Sequence, residues 1–213
     1  MAFVVAVDGP SGVGKGTLAR RIARHYGWDF LDTGALYRAV GLAALTADVD
    51  LGQSARLAEL ARGIDPTLLD DPALREEGVG QAASRVAADP AVRQALLDFQ
   101  QRFAQEPPGG VGAVLDGRDI GTVICPHAQV KLFLSASPTA RARRRARQLG
   151  VEGDAAALAR ITRAMEERDA RDAGRTAAPL RAAPDAHLLD TTNLDIDSTF
   201  RAALAIIEDH PGL

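Results

Sequence analysis

The chain of 213 residues is poor in cysteine, in aromatic side chains and in long apolar runs, and each scarcity excludes something. Cys125 is the only cysteine, which rules out an intramolecular disulfide and fits a reducing compartment. We predict that its side chain is a small buried hydrophobe rather than a nucleophile. No run approaches the roughly 20 apolar residues of a membrane span, and no signal peptide precedes the first strand pattern. We therefore expect a cytoplasmic protein that contacts no membrane.

Lysine is also rare, and the positive charge is unevenly placed. The chain has 23 arginines but only two lysines, Lys15 and Lys131, and its formal net charge is −3. Residues 141–181 hold eleven arginines and six acidic residues, a local charge of +5 that leaves −8 for the remainder. This segment is either an arginine-rich solvated helix or a surface that meets polyphosphate. The acidic remainder and an aromatic content of 4% argue against nucleic acid, whose binders use stacking platforms.

The strongest motif lies near the start of the chain, FVVAVDGPSGVGKGT at residues 3–17. Residues 3–7 are an apolar run without periodicity, as in a strand that is buried on both faces. The glycine-rich residues 9–14 then lead through Lys15 into a helical pattern, which together predict the phosphate cradle called a P-loop. Gly16 stands where a serine or threonine usually follows the lysine, so the hydroxyl that would serve Mg²⁺ is left open. The alternative is a strand-to-helix turn without a ligand.

A second candidate anion site follows the next strand. Residues 28–32 are predicted to form that strand, and Thr33 to be the N-cap of a helix in which Arg38 lies about one turn further on. Backbone N–H groups at a helix N-terminus attract anions, and an arginine beside them adds positive charge. The alternative is a plain helix cap with a surface arginine.

The remaining pattern alternates between strands and helices. Residues 48–88 are predicted to form short helices and loops, and a helix follows from Asp89 and Pro90 to about residue 104. Strands are expected at 111–115, 130–134 and 186–189, and helices after Ser137, at 155–173 and at 198–207. This alternation is typical of an α/β fold in which helices cover both faces of a parallel sheet. The residues DGRD at 116–119 follow a strand, at the edge where such sheets bind ligands.

The basic segment places several charges on one helix face. Arg168, Arg171, Asp172 and Arg175 are spaced i, i+3, i+4 and i+7. Two anion sites and this cluster point to phosphoryl transfer between two phosphorylated substrates, because such transfer needs dense positive charge. The two basic helices are predicted to form a lid that excludes water.

Six stretches resemble the bacterial cytidylate kinases, a family of nucleoside monophosphate kinases. They are DGPSGVGKGT at 8–17, LDTGALYR at 31–38, QAASRVAADPAVRQALLDFQQRFA at 81–104, LDGRDIGTVICPHAQVKLFL at 115–134, ERDARDAGRTAAPL at 167–180 and LLDTT at 188–192. The resemblance implies a three-layer α/β P-loop fold with a central five-stranded parallel sheet, in a single kinase domain over residues 1–213. Its core would comprise about 1–33, 111–138 and 180–213, its small acceptor-binding lobe about 34–110, and its helical lid about 139–179.

The resemblance further implies transfer of the γ-phosphate of ATP to CMP or dCMP with Mg²⁺, in pyrimidine nucleotide metabolism. ATP would be bound by Gly9, Pro10, Ser11, Gly12, Val13, Gly14, Lys15, Gly16 and Thr17. The catalytic residues would be Lys15, Arg118, Arg168 and Asp172. CMP would be bound by Thr33, Arg38, Ser84, Arg93, Arg118, Asp119, Arg168, Asp172 and Arg175, among which Ser84, Arg93 and Asp119 would read cytosine. The resemblance assigns no direct metal ligand, and Thr17 and Asp116 would hold Mg²⁺ through water.

One stretch departs from the family. Relatives usually carry a longer insert with small strands at about 63–80, whereas LLDDPALREEGVG at 68–80 is short and shows no strand alternation. The shape of the acceptor lobe is therefore left open. Alternative functions are another small P-loop kinase, acting on UMP, AMP or a sugar acid, and a GTPase switch, although the guanine-reading motif Asn-Lys-x-Asp is missing. Nothing in the sequence requires an oligomer, so we expect a monomer.

Overall fold

The computed structural model describes residues 2–213, which contain a five-stranded parallel sheet. Its strands are β1 (Phe3–Asp8), β2 (Asp29–Asp32), β3 (Gly112–Gly117), β4 (Val130–Ser135) and β5 (His187–Asp190). They are ordered β2-β3-β1-β4-β5 and all neighbours run parallel, so the carboxyl ends of the strands meet at one edge. The predicted α/β fold with five parallel strands is confirmed.

Helices cover both faces of this sheet. They are α1 (Lys15–Tyr26), α2 (Thr33–Thr46), α3 (Ser54–Arg62), α4 (Glu77–Val86), α5 (Pro90–Gln105), α6 (Pro138–Gln148), α7 (Ala155–Ala173) and α8 (Ile196–Glu208). A π-helical turn, Ile120–Ile124, follows β3. Within the described residues, no helix is long and apolar enough to cross a membrane.

Residues 63–80 form no strand in the part of the chain that is described, as the sequence predicted. Instead, two short 3₁₀ turns, Pro66–Leu68 and Pro72–Arg75, connect α3 to α4. Each turn is preceded by an aspartate, Asp65 or Asp71, whose carboxylate accepts an N–H two residues further on. These are Asx turns with proline at the first helical position, so the local sequence accounts for both.

β1 is buried on both faces because it lies at the centre of the sheet. Val4 and Ala6 belong to a core with residues of α2, α3 and α5, whereas Val5 and Val7 belong to a second core with residues of α1 and α8. Successive residues of a strand point to opposite faces, which explains the unbroken apolar run. Cys125 is buried in the first core, and burial raises the pKa of its thiol to about 12, as expected for a residue that is not a nucleophile.

The prediction that Thr33 caps α2 is wrong. Asp32 is the N-cap, and its carboxylate accepts the N–H of Ala35 at 3.0 Å, while Thr33 is the first helical residue. The hydroxyl of Thr33 instead donates to the main-chain oxygen of Asp116 at 2.7 Å. Aspartate and threonine are both favourable N-cap residues. Asp32 takes this position because the hydroxyl of Thr33 is bonded to the buried carbonyl of Asp116, which needs a donor.

Replacing either of two helical glycines by alanine should change stability, in opposite directions. A Cβ on Gly80 of α4 meets no atom within 4 Å, so Gly80→Ala should raise the free energy of unfolding by about 1 kcal/mol. A Cβ on Gly41 of α2 would lie 3.0 Å from the backbone nitrogen of Ala83, so Gly41→Ala should lower stability by crowding α4. Thermal unfolding of both variants beside the wild type measures the difference. A higher melting temperature for Gly41→Ala would show that α2 and α4 separate easily.

Candidate functional site

The loop between β1 and α1 has the backbone of an anion-binding cradle. Gly9, Gly12 and Gly14 have φ angles of 148°, 77° and 97°, and a Cβ on Gly9 would lie 2.3 Å from the oxygen of Leu134. These positions therefore require glycine. α1 begins at Lys15 without a side-chain cap and without an acidic residue in its first turn, so its N-terminal N–H groups are left for an anion.

Lys15 is buried at the end of this loop, where its Nζ donates to the carbonyl of Pro10 at 3.0 Å. Burial lowers the pKa of its ammonium group, and the nearby guanidinium of Arg118 lowers it further. A buried cation whose protonated form is disfavoured is stabilised by a neighbouring anion. The loop and Lys15 together therefore fit a phosphate group.

Two aspartates lie at the carboxyl ends of adjacent strands, Asp32 on β2 and Asp116 on β3, and they pair in register. Oδ2 of Asp116 lies 3.0 Å from the place that a Cβ on Gly16 would take, so this carboxylate borders α1. Burial raises the pKa of Asp116, and the carboxylate of Asp32 raises it further. A hydrated divalent cation would relieve this repulsion. Thr17, the other residue predicted to hold Mg²⁺ through water, is exposed in the first turn of α1.

A cleft lies at the same edge of the sheet, between α2, α4, α5 and α7. Its charged lining consists of four arginines and two aspartates, an excess of two positive charges. The lining includes Thr33, Tyr37, Ser84, Arg93, Arg118, Asp119, Arg168, Asp172 and Arg175. The structure thus brings together eight of the nine predicted CMP-binding residues. The ninth, Arg38, lies in the second turn of α2 and pairs with Asp32 at 2.6 Å.

Asp172 of α7 holds two of the arginines in place. Its carboxylate accepts from Nε of Arg118 at 2.9 Å and from Nη2 of Arg175. Burial alone would raise the pKa of Asp172, but these two guanidinium groups hold it below its usual value. The positive charges are therefore fixed at the cleft by a buried carboxylate.

Two nitrogen atoms of the cleft arginines are not satisfied by the protein. Nε of Arg168 and Nε of Arg175 are buried without a hydrogen-bond partner among the described residues. Burial and the neighbouring Arg118 also lower the pKa of Arg168 to about 10. Buried donors normally find a partner, so these atoms indicate that an anion completes the site.

A donor and an acceptor lie side by side on one wall of the cleft, because Arg93 of α5 forms a buried ion pair with Asp119. Burial raises the pKa of Asp119, and Arg93 opposes the shift. Ser84 of α4 accepts a hydrogen bond from Nε of Arg171 at 3.3 Å, and Nη2 of the same arginine donates to Gln81 at 3.2 Å. α7 is therefore bonded to α4 beside the cleft.

Sequence reasoning missed the residues that join the two basic helices to the glycine loop. Arg141 of α6 and Asp169 of α7 form a largely buried ion pair that bonds to both main-chain polar groups of one residue, Ser11. Nη1 of Arg141 donates to the oxygen of Ser11 at 3.0 Å, and Oδ1 of Asp169 accepts the N–H of Ser11 at 3.3 Å. A Cβ on Gly12 would lie 2.6 Å from Cε of Met165, so α7 packs directly on the loop.

The signals for these two residues differ in strength. Nothing in the run RARRRAR at 141–147 distinguishes the first arginine from the others. Met165, Asp169 and Asp172 are spaced i, i+4 and i+7, however, and this spacing marks one face of α7. That face was recognisable as buried from its methionine.

The contact with Ser11 predicts how α6 and α7 respond to mutation. Asp169→Asn should speed hydrogen exchange in both helices, because Arg141 is left buried without a charged partner. Glu166→Gln is the matched control, since it makes the same charge change at an exposed position of α7. Exchange measured by mass spectrometry on the three proteins tests the contact. Equal protection in all three would mean that the ion pair does not hold the helices on the loop.

Solved structures that are similar in fold include two small kinases. A gluconokinase from Sinorhizobium meliloti 1021 aligns with a TM-score of 0.52 and 14% identity, covering 97% of this chain and 91% of that one. A sugar kinase from Janibacter sp. HTCC2649 aligns with a TM-score of 0.52 and 16% identity, covering 100% of this chain and 98% of that one. At this identity they show a similar fold and nothing further.

Similarity in sequence is far stronger. A cytidylate kinase from Rhodopseudomonas palustris (strain BisA53) is 54% identical, and the match covers 97% of this chain and 96% of that protein. Another from Paramagnetospirillum magneticum is 53% identical, with 97% and 98% covered. The sequence model of the cytidylate kinase family matches residues 5–209. The glycine loop, the arginine-lined cleft and these matches lead to one conclusion, that this chain belongs to the cytidylate kinase family.

Proposed function

We propose that this protein transfers the γ-phosphate of ATP to CMP or dCMP, which yields ADP and CDP or dCDP. The observation that carries the proposal is the cleft, whose excess of two positive charges balances the two negative charges of a nucleoside monophosphate. The glycine loop lies at the same edge of the sheet and supplies a separate site for the donor. Relatives that are more than half identical are named cytidylate kinases, which supports cytidine as the acceptor nucleoside.

In this proposal, residues 9–17 bind the phosphates of ATP through backbone N–H groups, and Lys15 follows the group that is transferred. Arg118 lies between the two sites, because its charge acts on Lys15 and its Nε is bonded to Asp172. Negative charge that develops during transfer would therefore meet Lys15 on one side and Arg118 on the other. Groups that are fixed before the reaction stabilise such charge without reorganising.

The phosphate of CMP would be bound by Arg118, Arg168 and Arg175. The two buried Nε atoms of Arg168 and Arg175 are donors for its oxygen atoms. Asp172 is the catalytic carboxylate that keeps these guanidinium groups together when no substrate neutralises them. Thr33, in the first turn of α2, and Arg38, in its second turn, would complete the acceptor site.

The base would be read by Asp119, Arg93 and Ser84. Cytosine presents an amino donor at position 4 beside an acceptor at N3, and uracil presents the reverse. The adjacent carboxylate and guanidinium of Asp119 and Arg93 match the cytosine pattern. Asp119 would also repel the uracil oxygen, so selectivity comes from exclusion as well as attraction.

Mg²⁺ would be bound together with ATP, and it would neutralise phosphate charge. Its water molecules would be held by Asp116, with Thr17 as the second candidate, because the repulsion between Asp116 and Asp32 fits a hydrated cation. Residues 34–110 would act as the acceptor lobe and residues 139–179 as the lid. We propose a monomer that acts in the cytoplasm, in pyrimidine nucleotide metabolism.

The test of the function is an ADP-release assay with ATP, Mg²⁺ and each monophosphate in turn. We expect fast turnover with CMP and dCMP, slower turnover with UMP, and little with AMP or GMP. The alternative, a small kinase for UMP or AMP, predicts that one of these acceptors exceeds CMP. Rapid ATP hydrolysis without any acceptor would contradict a kinase that excludes water.

Asp119→Asn tests base recognition separately. The amide can donate to the uracil oxygen and can still offer an oxygen to cytosine, so the CMP to UMP ratio of kcat/KM should fall by ~10-fold or more. Steady-state kinetics with both acceptors at saturating ATP measure this ratio. Equal losses with CMP and UMP would mean that Asp119 serves only as the partner of Arg93.

A further inference from the structure

One buried carboxylate takes no part in the proposed reaction. Asp8 is the last residue of β1, directly before the glycine loop, and is 5% exposed. Its Oδ1 accepts the N–H of Ile120, and its Oδ2 accepts the N–H of Gly121, both at 2.8 Å. Among the residues that the structure describes, no cation pairs with it within 4 Å. Both oxygen atoms are therefore bonded to the first turn of the π-helical segment Ile120–Ile124.

Burying the carboxylate of Asp8 costs folding free energy, so we expect a role that offsets this cost. Burial raises the pKa of Asp8 to about 6, although its two backbone hydrogen bonds oppose the shift. A buried carboxylate that lacks a cationic partner weakens a fold unless its hydrogen bonds accomplish something that an apolar residue cannot. In this place, the hydrogen bonds satisfy the free N–H groups at the start of a helical turn.

The residue in the N-cap position of that turn is Asp119. An aspartate at an N-cap usually accepts the N–H groups of its own helix, but Asp119 makes no such bond. Its carboxylate instead points to Arg93 and lines the cleft. The N–H groups that it would otherwise accept include that of Gly121, which is bonded to Asp8. Asp8 therefore caps the turn, and Asp119 faces the cleft.

We propose that Asp8 is a positioning residue, which caps the Ile120–Ile124 turn in place of Asp119 and so keeps the Asp119 carboxylate in the cleft. The inference rests on the proposed function, in which Asp119 reads the base. When Asp8 cannot accept both N–H groups, Asp119 turns back to cap its own helix and leaves the cleft. Asp8 therefore determines base selectivity without touching the nucleotide.

Asp8→Asn removes one acceptor and conserves volume, because the amide nitrogen cannot accept an N–H. We expect the CMP to UMP ratio of kcat/KM to fall by ~10-fold, mainly through a higher KM for CMP. Asp29→Asn is the matched control. Asp29 also accepts a backbone N–H that is distant in sequence, that of Gly109 at 2.6 Å, but it lies at the opposite end of the sheet. The CMP to UMP ratio of kcat/KM in Asp29→Asn should therefore change by less than about twofold.

The double variant Asp8→Asn, Asp119→Asn separates positioning from general destabilisation. If Asp8 acts through Asp119, adding Asp8→Asn to Asp119→Asn leaves the ratio unchanged, because the two effects are not additive. A ratio in Asp8→Asn that equals the wild-type ratio, or a further fall in the double variant, overturns the inference. A wild type without preference for CMP contradicts the proposed function instead, so the two failures are distinguishable.

A measurement without a variant at position 8 covers the case in which Asp8→Asn does not fold. In the Asp119→Asn protein, the amide signals of Ile120 and Gly121 should shift in NMR spectra as Asp8 takes up its proton, with a midpoint below the pKa of about 6 of the wild type, because the variant removes the carboxylate of Asp119 that helps to raise it. The other titratable groups that act on Asp8 are Asp119, which this variant removes, and Lys15; the thiol of Cys125 lies close and does not titrate in this range. Amide signals that do not move between pH 4 and 7 would overturn the assignment.

Discussion

The structure depends on keeping many like charges together at one edge of a sheet. Arg118, Arg168 and Arg175 repel one another, and their burial removes the water that would screen them. Asp172 compensates two of these groups directly. The compensation is incomplete, since the cleft retains an excess of two positive charges and two unpartnered Nε atoms. The dianionic acceptor that we propose would balance this excess.

The parallel topology makes that concentration of charge possible. β2, β3 and β1 are consecutive in the sheet, and they end where the start of α2, the DGRD residues and the glycine loop lie. Residues that are about 100 positions apart in the chain thus become adjacent without long side chains, as Asp8 and Ile120 do. Carboxyl ends of parallel strands place donors, acceptors and helix N-termini at one edge. The helices α6 and α7 then cover this edge from the other side.

The parts of the molecule that the sequence predicted are those with strong local signals. The glycine loop and the alternation of strands and helices predicted the sheet. The spacing in the basic segment predicted one helix face for Arg168, Arg171, Asp172 and Arg175. Arg168 and Asp172 of α7 do line the cleft together, whereas Arg171 is bonded to α4, and Arg175 lines the cleft from beyond the end of α7. Thr33 was mistaken for a cap because Asp32 and Thr33 are both good caps, and the choice depends on a β3 carbonyl. The roles of Arg141 and Asp8 depend on partners that are distant in sequence, such as Ser11 and Gly121. The local sequence pattern therefore could not predict these roles. It did place Asp8 at the carboxyl end of a strand, as it placed Asp116.

The two Asp-Pro turns between α3 and α4 have a consequence for how the family can vary. Each turn is closed by hydrogen bonds within three residues, and the second also buries Leu74 against Ala35 and Ala39 of α2. Closing a connection of this kind costs little more when it grows longer, because the entropy of loop closure rises only with the logarithm of length. The part of the segment before Leu74 can thus vary in length, and the contact between α2 and α4 at Gly41 lies outside it. Insertions and deletions here can reshape the outer rim of the protein and leave its charged edge undisturbed.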